Sequence, residues 1–121
     1  EILVEIGKRL QPLRDEQILV MASGNVVHNL RDISFETPEG FDWANQFDES
    51  IRDAILNKAY DVPVHYNQLE GAQKAVPTPD HYYPLLAAIG ASADDDIISV
   101  WNDYRELGSL SMTSYRWDTV K

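Results

Sequence analysis

The chain has 121 residues, of which 44% are hydrophobic, so it can bury the core of one domain over residues 1–121. Its 20 acidic and 10 basic residues give a net charge of −10, which argues against nucleic acid or an anionic membrane as a partner. The absence of cysteine excludes disulfides and thiolate chemistry, and no apolar run reaches the roughly 18 residues of a membrane span. By default, we expect a cytoplasmic protein.

The first part of the chain predicts a helix followed by a buried strand. Apolar residues recur at helical spacing from Ile2 to Leu13, which is typical of an amphipathic helix. Residues 17–22 form a short apolar run that ends at a Ser-Gly pair, as buried strands of α/β sheets do. His28 follows this strand, where open α/β sheets usually place their chemistry. This order indicates a layered αβα architecture.

The rest of the chain predicts two more helices and a pair of strands. Apolar spacing predicts a packed helix over residues 41–58 and another over 85–89, with Gly90 as its stop. Pro77, Pro79 and Pro84 punctuate the loop that leads into the second of these helices. The three consecutive aspartates at 94–96 favour a solvated turn. The two predicted strands are residues 97–101 and 107–115, joined through residues 103–106.

The three histidines are the candidates for proton transfer or metal binding. His28 lies in a turn of small residues, and His81 lies in a Pro-Thr-Pro-Asp-His loop that two prolines stiffen. His65 has neither feature, so we expect it to be structural or exposed. The alternative for any of them is an ordinary hydrogen-bonded loop residue. The sequence lacks a Gly-x-Ser-x-Gly elbow, a Walker loop and a His-Glu-x-x-His helix, the common signatures of serine hydrolases, nucleotide enzymes and zinc peptidases.

Several blocks of the sequence follow the pattern of one enzyme family. Residues 22–30, Ala-Ser-Gly-Asn-Val-Val-His-Asn-Leu, resemble the Gly-Ser-Gly-x-x-x-His-Asn-Leu segment of class III extradiol ring-cleavage dioxygenases of the 4,5-DOPA dioxygenase type. Residues 7–14, 77–86 and 110–115 resemble the same group in the same order. Many relatives carry His before the Pro-Thr of the 77–86 block, where this chain has Val76. The resemblance spans nearly the whole chain.

The resemblance implies a fold, a cofactor and a reaction. The fold would be α/β, a three-layer αβα arrangement with a mixed central sheet, of which this chain is the carboxy-terminal portion. The cofactor would be one non-haem Fe(II), with Zn(II) as the alternative, and the reaction the opening of a catechol ring with dioxygen. By the same resemblance His81 is a metal ligand, and His28 is the general acid/base, with direct metal contact as its alternative role. Two further His ligands would belong to an amino-terminal part that is absent here.

The neighbours of the two histidines are candidates for supporting roles. Asn29 beside His28 and Asp80 beside His81 could bind the substrate or orient the adjacent ring. Their alternative roles are those of turn and capping residues. Since two imidazoles alone seldom hold iron, we expect little or no turnover from the isolated chain. We also expect it to associate, either with the missing amino-terminal half or as a homo-oligomer.

Two other functions stay open at this point. A relative without catalytic activity could keep the fold as a binding module, although the presence of both His28 and His81 in matching blocks speaks against it. A zinc-dependent hydrolase on the same scaffold would need an activated water in place of an oxygen site.

Overall fold

The computed structural model describes residues 1–120, which contain five α-helices and four short strands. The helices are α1 (Ile2–Leu10), α2 (Asp42–Leu56), α3 (Asp61–Val64), α4 (Ala72–Ala75) and α5 (Tyr83–Ala91). The strands are β1 (Ile97–Trp101), β2 (Arg105–Glu106), β3 (Leu110–Ser111) and β4 (Ser114–Asp118). Short 3₁₀ segments occupy Gln11–Glu16, Tyr66–Gln68 and Pro79–His81. None of the helices in this part of the chain is both long enough and apolar enough to span a membrane.

The strands form two small antiparallel sheets. β1 pairs with β4, with Ile97 opposite Asp118 and Trp101 opposite Ser114, and β2 pairs with β3. The predicted mixture of helix and strand is therefore confirmed, and β1 matches the strand predicted over 97–101. Residues 1–120 contain no larger mixed sheet, so the three-layer arrangement stays a prediction.

The core is built on one face of α2, which confirms the helix predicted over 41–58. Phe47, Ile51 and Ile55 are fully buried, because a spacing of three to four residues brings them onto one side of the helix. They belong to the same buried cluster as Leu86 of α5 and Val27, the residue before His28. The segment that carries His28 is thus attached directly to the core.

Close packing between α1 and α5 corrects the prediction that Gly90 stops a helix. α5 continues through Gly90 to Ala91. A Cβ atom at Gly90 would overlap the carbonyl oxygen of Val4, and one at Gly7 would overlap that of Ala87. Glycine at these positions allows the two helix backbones to approach, and this close approach explains Gly90 better than a capping role.

The predicted strand over 17–22 is not formed. Its backbone pairs with no strand among the described residues, and Ile18, Leu19 and Met21 are 47%, 79% and 78% exposed. An apolar run becomes a strand only when a neighbouring strand accepts its hydrogen bonds and covers its side chains. Residues 1–120 supply no such neighbour.

Two predictions near the end of the chain also need correction. The single strand predicted over 107–115 is divided between β3 and β4, because Leu107 and Gly108 adopt left-handed backbone angles before β3 and the chain bends again after it. The run 94–96 is not wholly solvated, since Asp96 is only 3% exposed. Its carboxylate accepts two hydrogen bonds from the guanidinium of Arg14, at 2.8 and 3.0 Å.

Candidate active site

The fold brings together the two histidines that the sequence singled out. The rings of His28 and His81 are stacked, with centroids 3.7 Å apart and planes inclined by 17°. Both residues are partly exposed. Residues more than fifty positions apart in the sequence therefore form one pair.

Backbone hydrogen bonds fix the position of His28 from both sides. The amide of His28 donates to the carbonyl of Ala75 in α4 at 2.9 Å. On the other side, the amide of Ser111 donates to Val27 at 2.9 Å, and the amide of Asn29 donates to Ser109 at 3.1 Å. His28 thus lies in an extended segment between α4 and β3.

His81 is positioned by the 3₁₀ segment Pro79–His81 and by its contact with the His28 segment. The amide of Asn25 donates to the carbonyl of His81 at 2.8 Å. Gly24 permits this approach, because a Cβ atom there would overlap the same carbonyl. The next residue, Tyr82, is buried and donates its hydroxyl hydrogen to the carbonyl of Pro63 at 2.6 Å. The backbone at His81 is therefore fixed by the bond to its own carbonyl and by the anchored side chain of the next residue.

Of the two supporting candidates, Asn29 is buried and Asp80 is exposed. The side-chain Nδ2 of Asn29 donates to the carbonyl of Lys74 at 2.8 Å, and its side-chain oxygen accepts from the backbone amides of Arg31 and Asp32. These bonds are those of a turn-forming residue. Asp80 accepts a 2.6 Å hydrogen bond from Thr78, and its other carboxylate oxygen lies 3.5 Å from Nε2 of His81. Asp80 is therefore placed to orient the His81 ring.

The electrostatics of the pair favour a neutral His28. Burial lowers the pKa of His28 below its ordinary value, and the neighbouring His81 lowers it further, against the opposing effect of Asp80. The hydrogen bond from Thr78, together with a backbone hydrogen bond, lowers the pKa of Asp80. At neutral pH the site thus contains an uncharged His28 and an ionised Asp80.

The stacked histidines line an open cleft of about 410 Å³. Its other lining side chains include Leu30, Arg31, Thr78 and Asp80. A smaller cavity of about 120 Å³ adjoins His81 on the side of Gly24 and Tyr115. A small aromatic molecule entering the cleft would meet both imidazoles.

The described residues contain no complete metal site. No group of three or more His, Asp or Glu able to hold a metal occurs among residues 1–120. Imidazole nitrogen suits iron and zinc, so the donor type of His28 and His81 fits such a metal, but the described residues complete no ligand set. His65 is exposed, as predicted, and does not line the cleft; its Nδ1 lies 3.0 Å from the carbonyl oxygen of Asp61.

One supporting group escaped the sequence analysis. Asp48 is 1% exposed, and it accepts hydrogen bonds from Thr113 at 2.7 Å and from Arg105 at 3.2 Å. Burial raises its pKa, although these hydrogen bonds oppose the shift. The bonds tie α2 to the turn that follows Ser111, the residue paired with the His28 segment. Its place on the apolar face of α2, one turn before Ile51, is a signal that could have revealed it.

Comparison with known proteins finds several relatives that share one name. No family model matches the chain. It is 39% identical over 117 residues to the protein named 4,5-DOPA dioxygenase extradiol of Escherichia coli (strain K12), covering 91% of this chain and 42% of that protein. It is 32% identical to the protein of the same name from Portulaca grandiflora (95% and 43% covered) and 30% identical to that from Beta vulgaris (96% and 44% covered). The chain therefore spans less than half the length of these curated relatives.

A solved structure agrees with the sequence comparisons. The crystal structure of the uncharacterized protein JW3007 from Escherichia coli K12 superposes with a TM-score of 0.86 at 38% identity, covering 93% of this chain and 48% of that one. The likeness in sequence extends along nearly the whole chain in three relatives that share one name. The chain is therefore similar, along nearly its whole length, to part of the proteins named 4,5-DOPA dioxygenase extradiol.

Proposed function

We propose that this chain is the carboxy-terminal part of an extradiol dioxygenase and supplies its proton-transfer group and one metal ligand. The complete enzyme would open the ring of a catechol with dioxygen, and the name shared by the relatives favours a DOPA-like catechol. The observation that supports this most directly is the stacked pair of His28 and His81 at a cleft. Each lies in a block that resembles the family.

The proposed role of His81 is to bind the metal. Its side chain is 43% exposed on the cleft, and the Asp80 carboxylate near Nε2 can orient the ring. Bound Fe(II) would bring catechol and dioxygen together and allow electrons to pass between them. Zn(II) is the alternative occupant. The other ligands would come from the part of the protein outside this chain.

The proposed role of His28 is proton transfer, with direct contact to the metal as its alternative role. Its ring lies against His81, so a catechol hydroxyl held beside His81 would be within reach of a His28 ring nitrogen. A neutral imidazole can accept that proton and return it when the ring opens. The hydrogen bonds on both sides of His28 limit its movement, which suits a group that must meet a small substrate in one geometry.

The rest of the protein would complete the site and cover the open segment 17–22. A groove of about 590 Å³ separates this segment from β4. Backbone that is unpaired and lies beside exposed apolar side chains is a template for pairing with a strand. We propose that the remaining part of the polypeptide occupies this groove, with a homo-oligomer as the alternative. The isolated chain would then have little or no activity.

The decisive experiment is oxygen uptake by the intact protein, loaded anaerobically with Fe(II) and supplied with a panel of catechols. His28→Ala should reduce turnover about 10²- to 10⁴-fold while the protein retains iron. His81→Ala should lose both activity and bound iron. His65→Ala is the matched control and should behave as wild type.

Other outcomes would favour the competing functions. No uptake by an iron-loaded intact protein would contradict the dioxygenase assignment and favour a binding module. Hydrolytic activity that depends on zinc, without oxygen uptake, would instead favour a hydrolase that uses an activated water.

A further inference from the structure

Arg31 is an exposed cation that lines the same cleft as His28 and His81. Within residues 1–120 its guanidinium donates no side-chain hydrogen bond and pairs with no carboxylate. The arginines that do pair with an aspartate are Arg14, Arg52, Arg105 and Arg116. The guanidinium of Arg31 is therefore open to an anion from solution.

The backbone at Arg31 is fixed relative to the histidine pair. Its amide donates to the side-chain oxygen of Asn29 at 3.0 Å, and Asn29 is buried and bonded to the carbonyl of Lys74. The amide of Asn29 itself donates to Ser109. These bonds keep the main chain at Arg31 at a constant position beside the cleft, so its side chain starts from a defined point.

We propose that Arg31 selects catechols that carry a carboxylate away from their ring hydroxyls; this rests on the dioxygenase function proposed above. The planar guanidinium can donate two parallel hydrogen bonds to a carboxylate. The net charge of −10 on these 121 residues repels anionic substrates, so a local cation favours the binding of such a substrate. Arg31 provides one at the cleft.

Asp80 favours the substrate orientation that a carboxylate bound at Arg31 requires. Its carboxylate also lines the cleft and lies 3.5 Å from Nε2 of His81. It would repel the substrate carboxylate from the histidines, whereas Arg31 would attract it. The two charges together would direct the hydroxylated edge of the ring toward the histidine pair.

The test compares an acidic catechol with a neutral one of similar size on the intact, Fe(II)-loaded protein. With 3,4-dihydroxyphenylacetate, Arg31→Gln should raise KM about 10-fold or more, because a charge-assisted contact is lost. KM for 3,4-dihydroxyphenylacetamide should be unchanged, and Arg31→Lys should recover part of the affinity for the acid. Arg9→Gln removes the same charge from an exposed site on α1 and should have no effect.

A binding measurement separates failure of this inference from failure of the proposed function. Calorimetric titration with 4-hydroxyphenylacetate and with 4-hydroxyphenylacetamide requires no turnover, and only the acid should bind more weakly to Arg31→Gln. Equal weakening for both ligands, or an equal effect of Arg9→Gln, would overturn the role of Arg31 even if catechols are cleaved. Selective binding of the acid without any catechol cleavage would retain an anion-binding Arg31 and overturn the dioxygenase function on which the catechol part rests.

Discussion

Two consecutive stretches of this chain, residues 17–22 and 25–29, differ in how the rest of the molecule holds them. In the first, three apolar side chains are exposed and no strand pairs with the backbone among the described residues. In the second, α4, β3 and the carbonyl of His81 all provide hydrogen bonds. The difference shows that the chain fixes the backbone beside its two histidines with its own contacts, whereas it leaves the neighbouring segment uncovered.

The largest expected effect comes from removing the buried polar side chain at the end of the second stretch, residues 25–29. Asn29→Ala should lower the free energy of unfolding by about 3 kcal/mol, because buried polar partners, including the carbonyl of Lys74, lose their hydrogen bonds. Urea denaturation would measure this, with the exposed Ser23→Ala as control. Unchanged stability with a raised KM for catechol would instead support the substrate-binding role predicted for Asn29.

A somewhat smaller effect is expected where the His28 segment meets His81. Gly24→Ala should cost about 2 kcal/mol, since the new methyl group overlaps the His81 carbonyl and one side must shift. Nuclear Overhauser contacts between the His28 and His81 rings should weaken. Gly71→Ala is the matched glycine control, because it strains a left-handed residue without a comparable overlap. An unchanged ring contact in Gly24→Ala would show that the stack does not depend on this approach.

The third prediction concerns the ion pair between Asp96 and Arg14, a residue that lies just before the open segment 17–22. Burial opposes ionisation of Asp96, but hydrogen bonds from Arg14 and the Ala93 amide outweigh it and lower the pKa of Asp96. A lowered pKa means that the ion pair stabilises the fold above the ordinary aspartate value of about 4, and that this stability is lost as pH falls through the folded-state pKa. Asp96→Asn should cost about 2 kcal/mol at pH 7.

Denaturation curves between pH 2 and pH 7 would test this. Stability of Asp96→Asn should vary less with pH than that of the wild type. Asp94→Asn alters an exposed residue of the same turn and should follow the wild-type curve. If Asp96→Asn loses stability at low pH as much as the wild type does, other carboxylates cause that loss.

The smallest effect in the isolated chain is expected in the open segment itself. Met21→Ser should change its stability by less than about 0.5 kcal/mol, because the side chain is 78% exposed. In the intact protein the same substitution should cost about 1 kcal/mol or more, because there a partner strand would cover Met21. Equal effects in both proteins would mean that the segment is not covered, and the proposed docking of the remaining polypeptide would be wrong.

The sequence by itself determined the local features of this protein. Apolar spacing predicted α2 and β1, because the periods of helix and strand are properties of neighbouring residues. Small residues and prolines marked the loops of His28 and His81, and the family resemblance supplied their expected roles. Each of these signals is carried by residues that are near one another in the chain.

Only the tertiary structure decided how these features combine. It placed the rings of His28 and His81 3.7 Å apart, and it put Gly90 at a helix crossing, where the sequence had predicted a helix end. It also showed that residues 17–22 form no strand within the part of the chain described. Each of these outcomes depends on contacts between residues distant in sequence, and spacing along the chain carries no information about whether such a neighbour is present.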